Sequence, residues 1–420
     1  MSRRLAAIAW SAAIAAAVLL PAAPRPAGAQ QTLVLPESRA TVVALAVDLA
    51  AGGVRDPAPE AGVSRLAAEA ILEGLRPRLA ARGAVARLEC DAAGLRLSLL
   101  APPSTWQESA SLFLEGLFHP EIAAEAFDSA QRRLLRSLRF QEGDPAAEIR
   151  SAAHEALFGP EHPWAHGPCG RVETLDSLPL GSARAAAQRF SPERATAALT
   201  GPFAPAEGSA FLARVFGDGR LPILLPLPQP PPLPGSRDVQ SPTVTVWVAI
   251  AYPLPAQPDD EATRLLAYRI AQAVRPSPDR PHVVDAAAQV ERFGGGGALV
   301  VYVAADPVAG RDWVPRVLDL VDGAGSATLD APAFGLLLRR YRGQRLLGLA
   351  APEALAGDAA DRLFFDHAYA APEARVDALT PERLRAAAAA LGPPAVAYLG
   401  PNPGDSATRA RSLDRHTGHE

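Results

Sequence analysis

The chain has 420 residues, 49% hydrophobic and 20% charged, with a formal net charge of −4. That composition excludes a disordered chain and allows two domains with proper cores. All 41 basic residues are arginine and acids outnumber them, so there is no basic footprint for nucleic acid.

In chain order, Arg3 and Arg4 precede an apolar run from Leu5 to Leu20, followed by "PAAPRPAGAQ" with small residues at Ala27 and Ala29. Residues 1–29 read as a secretory signal peptide cut after Ala29. The apolar run is shorter than the ~20 residues a membrane span needs, and no Cys follows to carry a lipid. An exported protein is expected, periplasmic or extracellular in a bacterium. Loss of Arg3, Arg4 and Arg25 takes the net charge from −4 to −7. Export makes Cys90 and Cys169 candidates for a disulfide, with two separate thiols as the alternative.

The first half predicts a strand at Thr41–Ala51 and a helix at Ala61–Gly74. A hairpin follows, with strands near Ala84–Cys90 and Leu95–Ala101 around "DAAG". Helices are expected at Ser104–Phe118, Ile122–Phe140, Pro145–Phe158 and Leu180–Phe190, then a strand at Ala195–Thr200 and a last helix. On the helix "GVSRLAAEAILEG", Arg65 and Glu69 stand one turn apart on one face, as a working site, a salt bridge or the remains of another site. His154, His162 and His166, with Cys169 beyond, raise metal binding. "HEALF" and "FGPEH" each miss one ligand of a helical zinc pattern, because Phe158 stands there. Pro160 and Pro163 also break the second as a helix, so the cluster reads as a solvent-facing loop.

The proline-rich stretch at 221–240 reads as a linker. Beyond it come a strand at Val244–Tyr252, a helix at Asp259–Val274, and strands near Val283–Val290 and Ala298–Ala304. Helices near Trp313–Val321, Pro332–Leu347, Pro352–Phe365 and Pro381–Leu391 lead to a strand at Ala395–Leu399. The glycines of "FGGGGALVVYV" precede a strand, and the chain has no Lys, so they read as a hairpin turn rather than a phosphate loop. Residues 406–420 read as a disordered tail.

The halves repeat. "TVVALAVDLAA" from Thr41 and "TVTVWVAIAYP" from Thr243 are 202 residues apart. "DSLPLGSARAAA" from Asp176 and "DALTPERLRAAA" from Asp377 are 201 apart. The expected fold is α+β: two tandem homologous domains, 30–220 and 241–405, each a mostly antiparallel sheet backed by helices.

Three stretches carry a resemblance. "DLAAGGVRDPAPEAGVSRLAAEAILEG" resembles the first strand and helix of the pitrilysin/insulinase family of zinc peptidases, where Gly-Leu-x-His-x-x-Glu-His stands on the helix. Glu142 to Phe203, with His162-Pro163-Trp164 and then Gly170, is similar to the family's His-Pro-aromatic loop, helix and strand. "VDALTPERLRAAAAALGPPAVAYLG" resembles the end of its second domain. The resemblance covers most of the chain after the signal peptide and implies tandem α+β domains.

Carried over by position, the first zinc His falls on Arg65, the general base on Ala68, the second His on Glu69 and the distal Glu near Ser137. The zinc motif is thus replaced by Arg65-Leu66-Ala67-Ala68-Glu69. Arginine is a fixed cation, Ala68 accepts no proton from water, and one Glu does not hold zinc. The resemblance therefore implies a chain that has lost metalloendopeptidase activity and has no cofactor of its own. It implies a zinc-bearing homologous peptidase subunit as partner, the two enclosing a chamber for peptide or unfolded polypeptide. In the second half, "RPSPDRPHVVD" departs from the family pattern. The alternatives are a stand-alone periplasmic peptide-binding or scaffold protein, and an enzyme using the His154/His162/His166 loop.

Overall fold

The computed structural model describes residues 30–91, 93–141, 143–160, 162, 164–165, 170–217, 235–293, 296–326 and 329–401. The expected signal peptide, most of the expected linker, the expected tail, His166 and Cys169 lie outside the described residues.

Ten strands form two five-stranded sheets. The first holds β1 (Thr32–Pro36), β2 (Val43–Leu49), β3 (Val85–Cys90), β4 (Leu95–Ala101) and β5 (Ala195–Gly201) in the order β1-β5-β2-β4-β3. The second holds β6 (Ser236–Gln240), β7 (Val246–Leu254), β8 (Val283–Phe293), β9 (Gly296–Ala305) and β10 (Ala395–Gly400) in the order β6-β10-β7-β9-β8. The orders correspond strand for strand. Among the described residues, only β1 with β5 and β6 with β10 pair in parallel, so each sheet is mostly antiparallel, as the sequence predicts.

The first half contributes α1 (Val63–Ala80), α2 (Trp106–Phe118), α3 (Ala124–Gln141), α4 (Pro145–Phe158), α5 (Val172–Ser177), α6 (Leu180–Ala187) and α7 (Pro205–Phe216). The second contributes α8 (Asp260–Val274), α9 (Trp313–Ser326), α10 (Ala331–Gly348), α11 (Pro352–Asp366), α12 (Pro372–Asp377) and α13 (Pro381–Ala389). α1 runs one and a half turns past its expected end at Gly74, through Pro77, because Leu75 and Leu79 continue its buried stripe. β1 and β6 had no sequence signal. β6 reads "SRDVQ", polar and mostly exposed, and is held by its ladder to β10.

The halves exchange a helix. In β2, side chains alternate between the two faces of the sheet. Leu45, Val47 and Leu49 pack into the core under the first half's own helices. Ala44 and Ala46, with Ala198 of β5, pack on Ala356, Ala359 and Ala360 of α11 from the second half. In β7, Val248, Ile250 and Tyr252 face their own half's helices. Trp247, Ala249 and Ala251 face Ile149, Ala153 and Leu157 of α4 from the first half. Under the visiting helices both strands carry alanines, with Trp247 the exception in β7, and these let the crossing helix lie close to the strands.

Charged residues anchor α11 as well. Asp259 caps α8, and the next two residues, Asp260 and Glu261, are buried. Asp260 meets Arg264 at 2.7 Å and also Arg362. Glu261 accepts from Tyr341 and Arg345, and Asp358 accepts from Arg345 and Arg375. Burial pushes the Asp260 carboxyl up, but Arg264, Arg362 and Arg292 outweigh it and hold it well below the usual carboxylate range. Across the seam, Arg96 of β4 forks onto Asp48 of β2 at 2.7 and 2.8 Å and reaches Asp361 of α11 at 3.1 Å.

Candidate functional site

Gly62 enters α1 at φ 88, in the left-handed region that glycine tolerates. The Asp56 carboxylate accepts from the Ser64 N–H at 3.1 Å and from its hydroxyl at 2.5 Å, which satisfies the helix start. α1 then lies antiparallel to α3. Arg133 of α3 donates to Glu69 at 2.6 Å and also to Glu73, while Ser129 donates to Glu73 at 3.1 Å. Glu69, where the resemblance puts the second His, thus faces α3; Arg65 stands one turn before it on α1, and Ser137 one turn after Arg133 on α3.

A salt bridge between Arg65 and Glu69, one of the readings of this helix, is not what forms. Glu69 turns to α3, where Arg133 spans two carboxylates. Arg before Glu at i, i+4 is the weaker orientation within a helix, so the contact between helices wins. Zinc does not fit here: Arg65 is a fixed cation, Ala68 is wholly buried and aliphatic, Glu69 is engaged by a guanidinium, and Ser137 is exposed. Among the described residues, no three His, Cys, Asp or Glu side chains are grouped to hold a metal ion.

Burial raises the Glu73 carboxyl, but its bonds to Arg133 and Ser129 hold it below the usual value. A depressed folded value means that this contribution is present above the unfolded pKa and fades as pH falls through the folded one. Arg133→Ala should lose about 1 kcal/mol of stability at neutral pH, the pairs being partly solvated. Urea unfolding at pH 7 and pH 4 checks this, with the difference from wild type shrinking in acid.

Beside this helix pair, a cavity of about 590 Å³ opens between the halves. Arg65 of α1 and Arg264 of α8 both line it. The two helices are counterparts, and "SRLAAE" and "TRLLAY" place arginine at the same position of each. The opposite wall is α4 of the first half against β8 of the second. Arg150 donates to the Ala146 carbonyl at 3.0 Å and to Gln289 at 3.1 Å, and one turn later His154 meets Glu291 at 2.8 Å. Burial raises the Glu291 carboxyl, but His154 and Arg150 bring it below its ordinary value. Arg292 donates to Asp366 at 2.7 Å and lies over the Phe365 ring. Trp164, Phe293 and Phe365 give the cavity an apolar side.

Of these histidines, His154 is not in a solvent-facing loop, and His166 lies outside the described residues. His154 sits on α4 with its side chain 13% exposed, facing Glu291. The His162 Nδ1 accepts from the Trp164 N–H at 3.1 Å. Both rings pack around Phe158, itself against Phe293 of the second half. The misreading follows from the exchange: α4 presents its polar side chains to the other half's strand. Cys90 ends β3 on the cavity wall, half-buried. Arg150, Arg264, Glu291 and Arg292 escaped the sequence reading. Only Arg264 had a signal in it, through alignment of the two repeat helices.

No protein-family model matches the chain, and no curated protein matches its sequence significantly. Solved structures do match. A "peptidase M16 inactive domain" from Pseudomonas fluorescens superposes with a TM-score of 0.76 at 18% identity, covering 90% of this chain and 97% of that one. An "M16-like peptidase" from Alicyclobacillus acidocaldarius gives 0.71 at 13% identity, covering 90% and 97%. A chain of complex III2 from Candida albicans gives 0.71 at 12% identity, covering 88% and 93%. At these identities the likeness establishes the fold, which is that of pitrilysin/insulinase-type peptidases, over nearly the whole length of each neighbour.

Proposed function

We propose that this protein is an exported, non-hydrolytic relative of the insulinase-fold peptidases. It pairs with a zinc-bearing peptidase subunit and shapes the chamber in which that subunit meets peptide or unfolded polypeptide. The observation that supports the reading is that Glu69, where the resemblance puts the second zinc His, is tied to Arg133 of α3. On this reading an ion pair stands where relatives of the fold carry a metal ligand. A structural neighbour described as inactive supports loss of hydrolysis, and one from a multi-subunit complex supports pairing. Zinc then belongs to the partner alone, and the first 29 residues direct export.

Co-expression with a zinc-motif homologue from the same organism tests this. The expected result is a stable heterodimer whose hydrolysis is lost when the partner's base is removed. A chain that stays monomeric beside every such homologue would overturn it. One observation favours the second reading, a stand-alone peptide-binding protein: the cavity is built entirely between this chain's own halves. That reading predicts a monomer that binds peptide without any peptidase.

A further inference from the structure

Among the described residues lining the cavity, Arg65, Arg150, Arg264 and Arg292 stand against Asp91, Glu291 and Asp361. The three carboxylates are already held. Asp361 accepts from Arg96 at 3.1 Å, Glu291 meets His154 at 2.8 Å, and Asp91 accepts from the Ala93 and Gly94 N–H groups at 2.8 and 3.0 Å. Arg150 is less fully matched. Among the described residues, Arg150 donates only to neutral oxygens, a carbonyl and an amide. Arg292 is 9% exposed, and its Nη1 is buried with no hydrogen-bond partner. Its guanidinium is held by Asp366 at 2.7 Å and lies over the Phe365 ring, so Arg292 adds positive charge to that wall while Arg150 keeps the capacity to bind. Carboxylate is the matching group, because guanidinium binds it through paired, charge-assisted hydrogen bonds.

We propose that the chamber recognises a carboxylate of its peptide, received by Arg150 in the field of Arg292, beside the apolar surface of Trp164, Phe293 and Phe365. This rests on the peptide-binding reading and gives it a substrate class: peptides with an acidic side chain or a free C-terminus at the bound position. The other two cavity arginines add long-range attraction, and Arg264 is already committed to Asp260.

The test uses the full mature chain and three labelled peptides of one unstructured sequence, measured by fluorescence anisotropy. One carries a central Glu pair and an amidated C-terminus. One carries Gln in place of Glu, with the amide. One carries Gln with a free carboxylate. At least one acidic peptide should bind about tenfold or more tightly than the neutral one, the magnitude of a charged hydrogen bond. Which of them does so identifies the source of the carboxylate. The preference should vanish in Arg150→Gln, persist in part in Arg150→Lys, and weaken with salt in the wild type. The salt dependence stands by itself if Arg150→Gln does not fold. Equal binding of all three peptides, or a preference that survives both Arg150→Gln and high salt, overturns the carboxylate assignment alone. No binding by any peptide overturns the peptide-binding reading beneath it.

Discussion

Replacing Arg362 with Met will lower the unfolding free energy by about 3–5 kcal/mol, the cost of breaking a buried charge network by removing one of its cations. Arg362 is 4% exposed and binds Asp260, with Asp366 at 3.2 Å and Glu261 at 3.5 Å. Met preserves much of the stem's packing, so the loss reports the charge rather than a cavity. Asp260 and Glu261 cannot relax into water, because the start of α8 is enclosed by α10, α11 and α12. The Asp358 carboxyl is raised by burial but brought below its usual value by Arg375, Arg345 and Arg362. Depressed carboxyls stabilise the fold above their unfolded pKa, and that stabilisation is lost as pH falls through the folded values. The penalty in Arg362→Met should therefore be full at pH 7 and diminish in acid. Urea unfolding measures it. A loss under about 1 kcal/mol would mean that the network behaves like a surface pair.

The exchanged helices predict a second large effect. Separately produced halves, 30–217 and 235–401, will not unfold cooperatively, because each sheet loses the helix on one face. The first half loses α11 from Ala44, Ala46 and Ala198, and the second loses α4 from Trp247, Ala249 and Ala251. Mixing the halves should restore a single transition by circular dichroism. A gentler version is Ala359→Leu, which overpacks an all-alanine contact and should cost about 1–3 kcal/mol. Cooperative melting of both separate halves would show that the exchange is dispensable.

The sequence shows the repeat and the sheets because they rest on local signals. Alternation in "LRLSLLA" matches the in-and-out burial of β4. The paired motifs "TVVALAVDLAA" and "TVTVWVAIAYP" land on β2 and β7, which occupy the same place in the two sheets. What is illegible depends on which element covers which. "VALAV" sorts large and small residues onto opposite faces, but nothing in it says that the small face receives a helix from 300 residues away. The same holds for His154, whose partner Glu291 is 137 residues on. Arg65 and Glu69 were found because they share one helix. The pairing of Glu69 was missed because Arg133, the better partner, comes from another.

On the proposed reading, α1 and α3 no longer offer a seat for zinc. Zinc content after purification and dialysis against zinc tests it most directly, read per chain and with activity on an unfolded polypeptide measured on the same sample. The account predicts substoichiometric zinc and no hydrolysis by the chain alone. One zinc per chain, with hydrolysis that a chelator abolishes, would contradict it.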